Sequence, residues 1–162
     1  MSEDLKKMLA DAEALFAALA GHWEGQTRTW FEPDKLADES PSLATIKAIG
    51  ATTVAHEYQG SVQGAAHHGL ALFSYDVHSH EYEAAWADSW HMPTNIMISK
   101  GQALPGGFAV TGYYEVGNLD PVWGWRTELQ LDGNTLTITA YNISPQGDES
   151  KSVETVYQRA AP

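Results

Sequence analysis

The chain has 162 residues, of which 43% are hydrophobic and 19% charged, and it contains no cysteine. This length and composition are typical of one globular domain with a single core, taken to span residues 1–162, and they exclude a disulfide framework, a thiolate nucleophile and a cysteine-ligated zinc. The formal net charge of −12 disfavours nucleic acid and anionic membrane surfaces as partners, because both are negatively charged.

An amphipathic helix is predicted for about residues 3–20. Apolar side chains such as Leu9 and Phe16 recur there at three- and four-residue intervals, Ser2 can cap the start, and Gly21 fits just past the end. The segment carries charges throughout, unlike a signal peptide, and no stretch of the chain reaches the roughly 18 continuous apolar residues of a membrane span. We therefore expect a cytoplasmic protein whose helix packs against its own domain.

A set of short strands is predicted for about residues 22–160. After Gly21 the apolar period changes from that of a helix to that of a strand, and turn signals follow about every ten residues. Asp132-Gly133 is the strongest turn signal, because both residues tolerate the positive φ of a two-residue hairpin turn. Pro33–Pro41 is the longest gap between strands. About ten strands joined by hairpins indicate a sandwich or an up-and-down barrel.

Several short motifs follow one another in order over nearly the whole chain. They are Gly21, Trp23 and Gly25 of GHWEG, then HEYQG (His56–Gly60), Tyr75-Asp76, WADS (Trp86–Ser89) and ETVYQR (Glu154–Arg159). This series resembles the calycin superfamily of lipocalin-like barrels and, within it, the bacterial family DUF1579. The resemblance implies an all-β fold: an up-and-down antiparallel calycin-like β-barrel of about ten strands with one N-terminal α-helix. It also implies an internal cavity with the Pro33–Pro41 loop near its mouth, and it brings no established reaction.

Trp23 and Arg159 are expected to close one end of the barrel. Strand alternation points Trp23 inward at the start of the first strand and Arg159 inward near the end of the last strand, and these strands are neighbours in a closed barrel. In calycins an arginine of the last strand typically covers that tryptophan. The resemblance therefore implies a structural cation–π contact, worth about 1 kcal/mol or more when desolvated.

The inward positions of the other strands combine aromatic rings with a few polar groups, which is typical of a small-molecule pocket and equally of a filled core. Asp88 is the most unusual of them, because a buried carboxylate has to be hydrogen-bonded or protonated. It could anchor the polar end of a neutral or weakly cationic ligand, act as a general base, or bond nearby backbone and indole groups and end its strand. The predicted ligand-binding residues are His56, Tyr58, Tyr82, Trp86, Asp88, Tyr114, Trp125 and Tyr157.

The seven histidines raise the question of a metal or a haem. A hairpin turning within Gly60–Gly64 would bring His56 opposite His67 or His68, and only one of that adjacent pair could face the same side as His56. Haem-binding barrels of the nitrobindin type share the calycin plan, but their iron ligand is a histidine late in the chain, and none follows His91 here. No metal and no cofactor is therefore predicted.

The sequence favours a non-enzymatic barrel that binds a small apolar or amphipathic molecule. One alternative is an enzyme that uses Asp88 and His56 as an acid–base pair in the cavity. The other is a structural or interaction protein with a filled barrel, which forms a homodimer through the outward-facing Val122, Tyr141 and Val156. The volume of the cavity separates this last alternative from the other two functions.

Overall fold

The computed structural model describes all residues from Met1 to Pro162 as one α-helix followed by ten antiparallel strands. Each strand pairs with the next one along the chain, and the first pairs with the last, so the sheet closes into an up-and-down barrel. The predicted fold class is confirmed. The elements are α1 (Glu3–Leu19), β1 (Gly21–Glu32), β2 (Lys35–Ala48), β3 (Thr53–Val62), β4 (Ala65–Asp76), β5 (Glu81–Asp88), β6 (Met92–Leu104), β7 (Gly107–Tyr114), β8 (Trp123–Asp132), β9 (Thr135–Ile143) and β10 (Glu149–Ala160).

The first turn of α1 has the cap that its sequence predicts. The Ser2 hydroxyl accepts a hydrogen bond from the Leu5 amide at 3.3 Å, and Glu3 and Asp4 place negative charge at the positive end of the helix dipole. The last turn carries no basic residue of its own. In length and in hydropathy, α1 falls short of what a membrane-crossing helix needs.

The apolar stripe of α1 fills one end of the barrel. Ala12, Phe16 and Leu19 are at most 1% exposed. The Phe16 ring meets Tyr82 and Phe108 edge-on, with ring centroids 6.0 and 6.3 Å apart, as aromatic pairs prefer. Because side chains occupy this end, any space in the barrel has to lie toward the opposite end, which is its mouth.

Trp23 and Arg159 join α1 to the barrel. They are direct partners in the ladder between β1 and β10, and the Arg159 guanidinium carbon lies 4.3 Å from the centroid of the Trp23 ring. The Trp23 indole nitrogen donates a hydrogen bond to the Leu19 carbonyl at 2.9 Å. Arg159 donates to the carbonyl oxygens of Ala18 and Ala20 at 2.5 and 3.0 Å. The predicted contact is present, and it also supplies donors to the open carbonyl groups at the end of the helix.

The prediction of a long Pro33–Pro41 loop is wrong, because most of that segment is strand. β1 and β2 are joined by the two-residue turn Pro33-Asp34, in which Asp34 has a φ of 59°. Ser40 and Ser42 then alternate inward along β2 and are buried. The polar composition that suggested a loop therefore belongs to the outer face of a strand and, on its inner face, to the two serines and to Asp38, which accepts a hydrogen bond from the Ser40 hydroxyl at 2.6 Å.

Candidate functional site

A cavity of about 90 Å³ lies inside the barrel, between the end filled by α1 and the mouth. Pockets for drug-sized ligands measure about 300–1,000 Å³, whereas an apolar cavity of about 150 Å³ can hold benzene. At about 90 Å³ the cavity is smaller than either, so its space corresponds to at most one small ring or a few water molecules and excludes a long chain. Hydroxyl groups from β1, β2 and β10 line one side of it, and aromatic rings of β5 and β8 line the other.

The hydroxyl side is largely paired within itself. Thr27 and Thr155 are partners in the β1–β10 ladder, and their hydroxyl oxygens are 2.7 Å apart. The hydroxyls of Ser42 and Tyr157 are hydrogen-bonded at 3.2 Å, and burial raises the pKa of Tyr157 to about 12, which keeps the phenol neutral. The buried hydroxyl oxygen of Thr29 has no hydrogen-bond partner in the protein. This side therefore leaves one polar atom for a guest molecule.

The aromatic side consists of Trp86 and Trp125, with His91 beside them. The two indole rings stack with centroids 5.5 Å apart and 17° between their planes. The His91 ring lies 5.9 Å from Trp86 and 5.7 Å from Trp125. Sequence reasoning did not select His91, because it stands in the turn after β5, where strand alternation says nothing about which way a side chain points.

Tyr58, Gly69 and Asp88 stand side by side on β3, β4 and β5. Because Gly69 has no side chain, the Tyr58 hydroxyl can extend across β4 and donate to Asp88 Oδ2. A Cβ atom at Gly69 would lie only 2.2 Å from that hydroxyl oxygen. The same oxygen accepts a hydrogen bond from the Trp86 indole nitrogen at 2.7 Å. Burial, followed by the neighbouring Asp88 carboxylate, raises the pKa of Tyr58 well above its usual value.

The Asp88 carboxylate is buried, and both of its oxygens are already engaged. Oδ1 accepts hydrogen bonds from the backbone amides of Trp90 and His91 at 2.7 and 2.8 Å, and Oδ2 accepts one from Tyr58. Burial by itself would raise the pKa of Asp88, but the nearby His91 imidazole and the hydrogen bonds from Tyr58 and the His91 amide lower it well below its usual range. Asp88 is therefore ionised, and it holds the end of β5, the following turn and Tyr58 in place.

Two imidazoles flank this carboxylate at the mouth of the cavity. His67 Nε2 lies 3.7 Å from Asp88 Oδ2, and His91 Nδ1 lies 3.4 Å from Asp88 Oδ1. Burial lowers the pKa of His67, and the Asp88 charge opposes that effect. The two rings complete a polar group around Asp88 that is separate from the paired hydroxyls on the other side of the cavity.

The predicted pairing of His56 with His67 or His68 is wrong. β3 and β4 are joined by the tight turn Gln63-Gly64, so His67 lies opposite Gly60, and His56 lies opposite Ala71. The sequence placed the turn correctly within Gly60–Gly64 but not to the residue, and register depends on that residue.

His56 lies deeper in the barrel, among aromatic rings. Its ring centroid is 5.0 Å from Tyr58 and 6.3 Å from Phe73, and the Tyr157 ring meets it edge-on at 6.1 Å. Burial lowers the pKa of His56 to about 4, so the imidazole is neutral near pH 7. Its Nε2 atom is buried and has no hydrogen-bond partner in the protein. His56 therefore presents an unused polar atom to the interior.

Two of the predicted ligand-binding residues do not line the cavity. Tyr82 points inward but lies at the end filled by α1, where its ring stacks on Phe108 at 4.4 Å. Tyr114 packs near Trp125, and its hydroxyl donates to Asn142 Oδ1 at 2.5 Å. Alternation assigns the face of a strand but not the height along the barrel axis, which separates these tyrosines from the cavity. The cavity is lined by the other six, His56, Tyr58, Trp86, Asp88, Trp125 and Tyr157.

The geometry does not bring Asp88 and His56 together as an acid–base pair. The Tyr58 ring lies against His56, and its hydroxyl donates to Asp88, so the phenol stands between the two groups. Asp88 is ionised and engaged, and His56 has no carboxylate partner. The arrangement is suited to holding a small molecule by ring contacts and by hydrogen bonds.

A comparison of the sequence with known protein families found a match over most of the chain. The sequence profile of a family described as protein of unknown function (DUF1579) matches residues 10–159, which is nearly the whole chain. The chain belongs to the DUF1579 family. The match begins within α1 and ends at Arg159, so both partners of the helix contact, Trp23 and Arg159, lie inside it. No curated protein matches this DUF1579 chain.

A solved structure shares the barrel. The DUF1579 chain is similar to Rv2717c from M. tuberculosis, with a TM-score of 0.61 and 12% sequence identity over 93% of this chain and 98% of the other. At that identity the likeness concerns the fold alone. The cavity of this chain therefore has to be interpreted from its own side chains.

Proposed function

We propose that the chain is a non-enzymatic binding protein that holds one small amphipathic molecule inside the barrel. The observation that carries this proposal is the cavity between the α1 end and the mouth, which has an aromatic side and a hydroxyl side. A ring that buries about 150–200 Å² of apolar surface gains roughly 4–5 kcal/mol before ordering costs. Before those costs, this gain corresponds to dissociation constants of about 0.2–1 mM, so constants of about 1 mM or above are expected for single-ring probes.

The test follows the indole N–H resonances of the tryptophans by NMR during titration with toluene, phenol and cyclohexanol. Trp86 and Trp125 line the cavity, whereas Trp30 packs outside the barrel under Lys151, 5.6 Å from its ammonium group. Binding inside the barrel should shift the Trp86 and Trp125 signals and leave the Trp30 signal in place. Trp86→Phe and Trp125→Phe assign the signals.

A cavity-filling variant provides the matched control. Ala71 lines the cavity, whereas Ala55 lies on the neighbouring strand and faces outward. Ala71→Leu should abolish the titration shifts, and Ala55→Leu should leave them unchanged. If none of the three probes shifts the Trp86 and Trp125 signals in the wild-type chain, the binding function fails.

A second candidate function, association with a second copy of the chain, is favoured by an exposed apolar surface. Leu70, Leu72, Ile96 and Ile98 are 43%, 39%, 63% and 62% exposed on the outside of β4 and β6. Ala85 on β5 lies between Leu72 and Ile98 in the ladder. We name these five residues the β4–β6 face.

The shape of the β4–β6 face suits a two-fold contact. Strands in a sheet are about 4.8 Å apart, so the ridges on β4 and β6 are about 10 Å apart, with the small Ala85 in the groove between them. A ridge of one copy can fill the groove of the other when the same face is used twice. The face holds no charged side chain, so it is a place where two copies with a net charge of −12 can meet.

The surface that the sequence suggested for a homodimer is less suitable. Val122 and Val156 are 47% and 38% exposed, but the Arg126 guanidinium covers the Tyr141 ring at 4.4 Å. In the β9–β10 ladder, Tyr141 pairs with Lys151. Charged side chains therefore interrupt that surface, and the β4–β6 face takes its place in the proposal.

A further inference from the structure

The polar atoms that the protein leaves unpaired inside the cavity indicate what a ligand has to supply. Four buried polar atoms of cavity-lining residues have no hydrogen-bond partner in the protein: Thr29 Oγ1, His56 Nε2, His67 Nδ1 and His91 Nδ1. His67 and His91 flank the Asp88 carboxylate at the mouth, whereas His56 lies deeper, among aromatic rings. The His56 side chain is 5% exposed and the Thr29 side chain 2%. Buried polar groups in folded proteins are nearly always satisfied, because an unmet hydrogen bond is costly. A guest with a polar group would remove that cost.

The charges around the cavity favour a neutral guest. No lysine or arginine lines it, so an anion finds no fixed cation there. The one lining carboxylate, Asp88, already accepts hydrogen bonds from two backbone amides and from Tyr58 and is flanked by the imidazoles of His67 and His91, so the protein itself supplies its partners. The groups around His56 are the rings of Tyr58, Phe73 and Tyr157, none of which is charged near pH 7.

A hydroxyl is the polar group that fits His56 best. The Nε2 atom of a neutral imidazole is either a donor or an acceptor, depending on which ring nitrogen carries the proton. A hydroxyl can donate and accept, so it can pair with either form. A carbonyl can pair only with the form that has a proton on Nε2, and a methyl group can pair with neither. The aromatic side, with Trp86 and Trp125, suits a flat ring, and the volume of about 90 Å³ limits the guest to one ring.

We propose that the cavity selects a neutral, single-ring aromatic molecule with a hydroxyl group, and that this hydroxyl bonds to His56 Nε2. The inference rests on the proposed binding function and names its ligand class. The aromatic ring packs against the indoles on the β5 and β8 side. The hydroxyl points into the barrel toward His56, and Asp88 positions Tyr58 without touching the guest.

The test compares phenol with toluene, which has nearly the same shape but no hydrogen-bonding group. Dissociation constants for both are measured by NMR titration at pH 7.5 with the wild-type chain, with His56→Phe and with His68→Phe. His68 is on the outer face of β4 and serves as the matched control. The quantity of interest is the ratio of the toluene constant to the phenol constant, because it cancels general effects of a substitution on the cavity.

We expect His56→Phe to lower this ratio about tenfold or more, in line with the loss of one buried hydrogen bond, and His68→Phe to leave it unchanged. An unchanged ratio in His56→Phe, with both probes still bound, would overturn the hydroxyl preference and leave the binding function standing. Tighter binding of benzylamine than of phenol would also overturn it, since a cation would then be favoured. If neither phenol nor toluene binds the wild-type chain, both proposals fail.

Discussion

The contact between Tyr58 and Asp88 depends on a residue that has no side chain. Gly69 lies between them in the sheet, and its backbone has ordinary extended geometry, so the requirement for glycine is space rather than a positive φ. A Cβ atom there would lie 2.2 Å from the Tyr58 hydroxyl oxygen and 2.3 Å from the ring carbon that bears it. The hydrogen bond between Tyr58 on β3 and Asp88 on β5 therefore requires that the β4 residue between them has no side chain.

Gly69→Ala should therefore destabilise the chain by roughly 2–4 kcal/mol, because it overpacks the site and breaks the buried hydrogen bonds of Tyr58. Chemical denaturation measures the free energy of unfolding. Gly60→Ala is the matched control, since its Cβ would meet no atom closer than 3.3 Å. In a Tyr58→Ala background the loss from Gly69→Ala should shrink. An equal loss in both backgrounds would contradict this explanation.

His56 should give stability a distinct dependence on pH. Burial lowers its pKa in the folded chain from 6.5 to about 4. Between these values the unfolded chain takes up a proton that the folded chain does not, so the free energy of unfolding falls as the pH drops from 6.5 to 4 and levels off below that. The loss attributable to His56 is roughly 3 kcal/mol.

The measurement is urea denaturation across pH 4–7.5 for the wild-type chain, His56→Gln and His68→Gln. The pKa of His67 is also lowered, so some pH dependence remains in every variant. Only His56→Gln should flatten the curve, because His68 faces outward. If His56→Gln kept the full slope, His56 would not be a neutral buried imidazole.

At the scale of elements, the end of α1 and the two closing strands of the barrel act as one unit. Trp23 and Arg159 both donate to carbonyl groups of the last helical turn, and they also contact each other. Trp23→Ala should cost roughly 3–5 kcal/mol of unfolding free energy, as for other buried aromatics, and Arg159→Ala should cost less. Since they contact each other and both donate to the end of α1, the double variant should lose less than the sum.

The measurement is a double-mutant cycle, in which chemical denaturation gives the free energy of unfolding of the wild-type chain, the two single variants and the double variant. Arg159→Lys is the informative companion, since lysine keeps the charge but cannot donate to two carbonyls through a planar fork. It should behave more like Arg159→Ala than like the wild-type chain. Additive losses in the cycle would show that the two residues do not stabilise each other.

The accuracy of sequence reasoning also differed from element to element. Alternation found the inward face of β5 and β10, and with it Trp86 and Tyr157, because a period of two is a local property. It could not separate Tyr82 from the cavity, since depth depends on where α1 enters the barrel. It missed Pro33-Asp34, because a tight turn between two polar strand ends looks like a loop.

Register was the other quantity that the sequence could not supply. His67 lies opposite Gly60 and not opposite His56 because the β3–β4 turn is two residues long. A shift of the register by one residue would move every side chain of the strand to the other face of the sheet. The hydrogen-bond partners of the polar atoms in the site likewise depend on neighbouring segments and not on the pattern of one strand. Sequence reasoning left three roles open for Asp88: a ligand anchor, a general base, or a partner of nearby backbone that ends its strand. The Trp90 and His91 amides of the turn after β5 donate to its Oδ1, which is the contact expected for the third role.

For the whole molecule, the net charge of −12 sets the conditions under which two copies can meet. Repulsion between acidic surfaces opposes association at any face, and it weakens as salt shortens the range of the charges. The five residues of the β4–β6 face are uncharged. At its border, Glu57 is the ladder partner of Leu70, and Glu83 and Lys100 form an ion pair at 2.7 Å. Association through this face should therefore strengthen with ionic strength, in contrast to a contact made by salt bridges.

Light scattering after size exclusion should find a mass of about 35 kDa, twice the 17.7 kDa of one chain, at high micromolar concentration and 0.5 M salt. Ile98→Lys places a charge on the β6 ridge of the β4–β6 face, next to Ala85. Because Ile98 is 62% exposed, the fold should tolerate this change, and the variant should run as the single chain. Val156→Lys, on the surface first suggested by the sequence, is the control and should keep the double mass.

A wild-type chain that stays at the single mass under these conditions, or a double mass that Val156→Lys removes and Ile98→Lys does not, would exclude the β4–β6 face as the contact. Because Ile98 points away from the cavity, Ile98→Lys should bind phenol as the wild-type chain does, which keeps the two proposed functions independent.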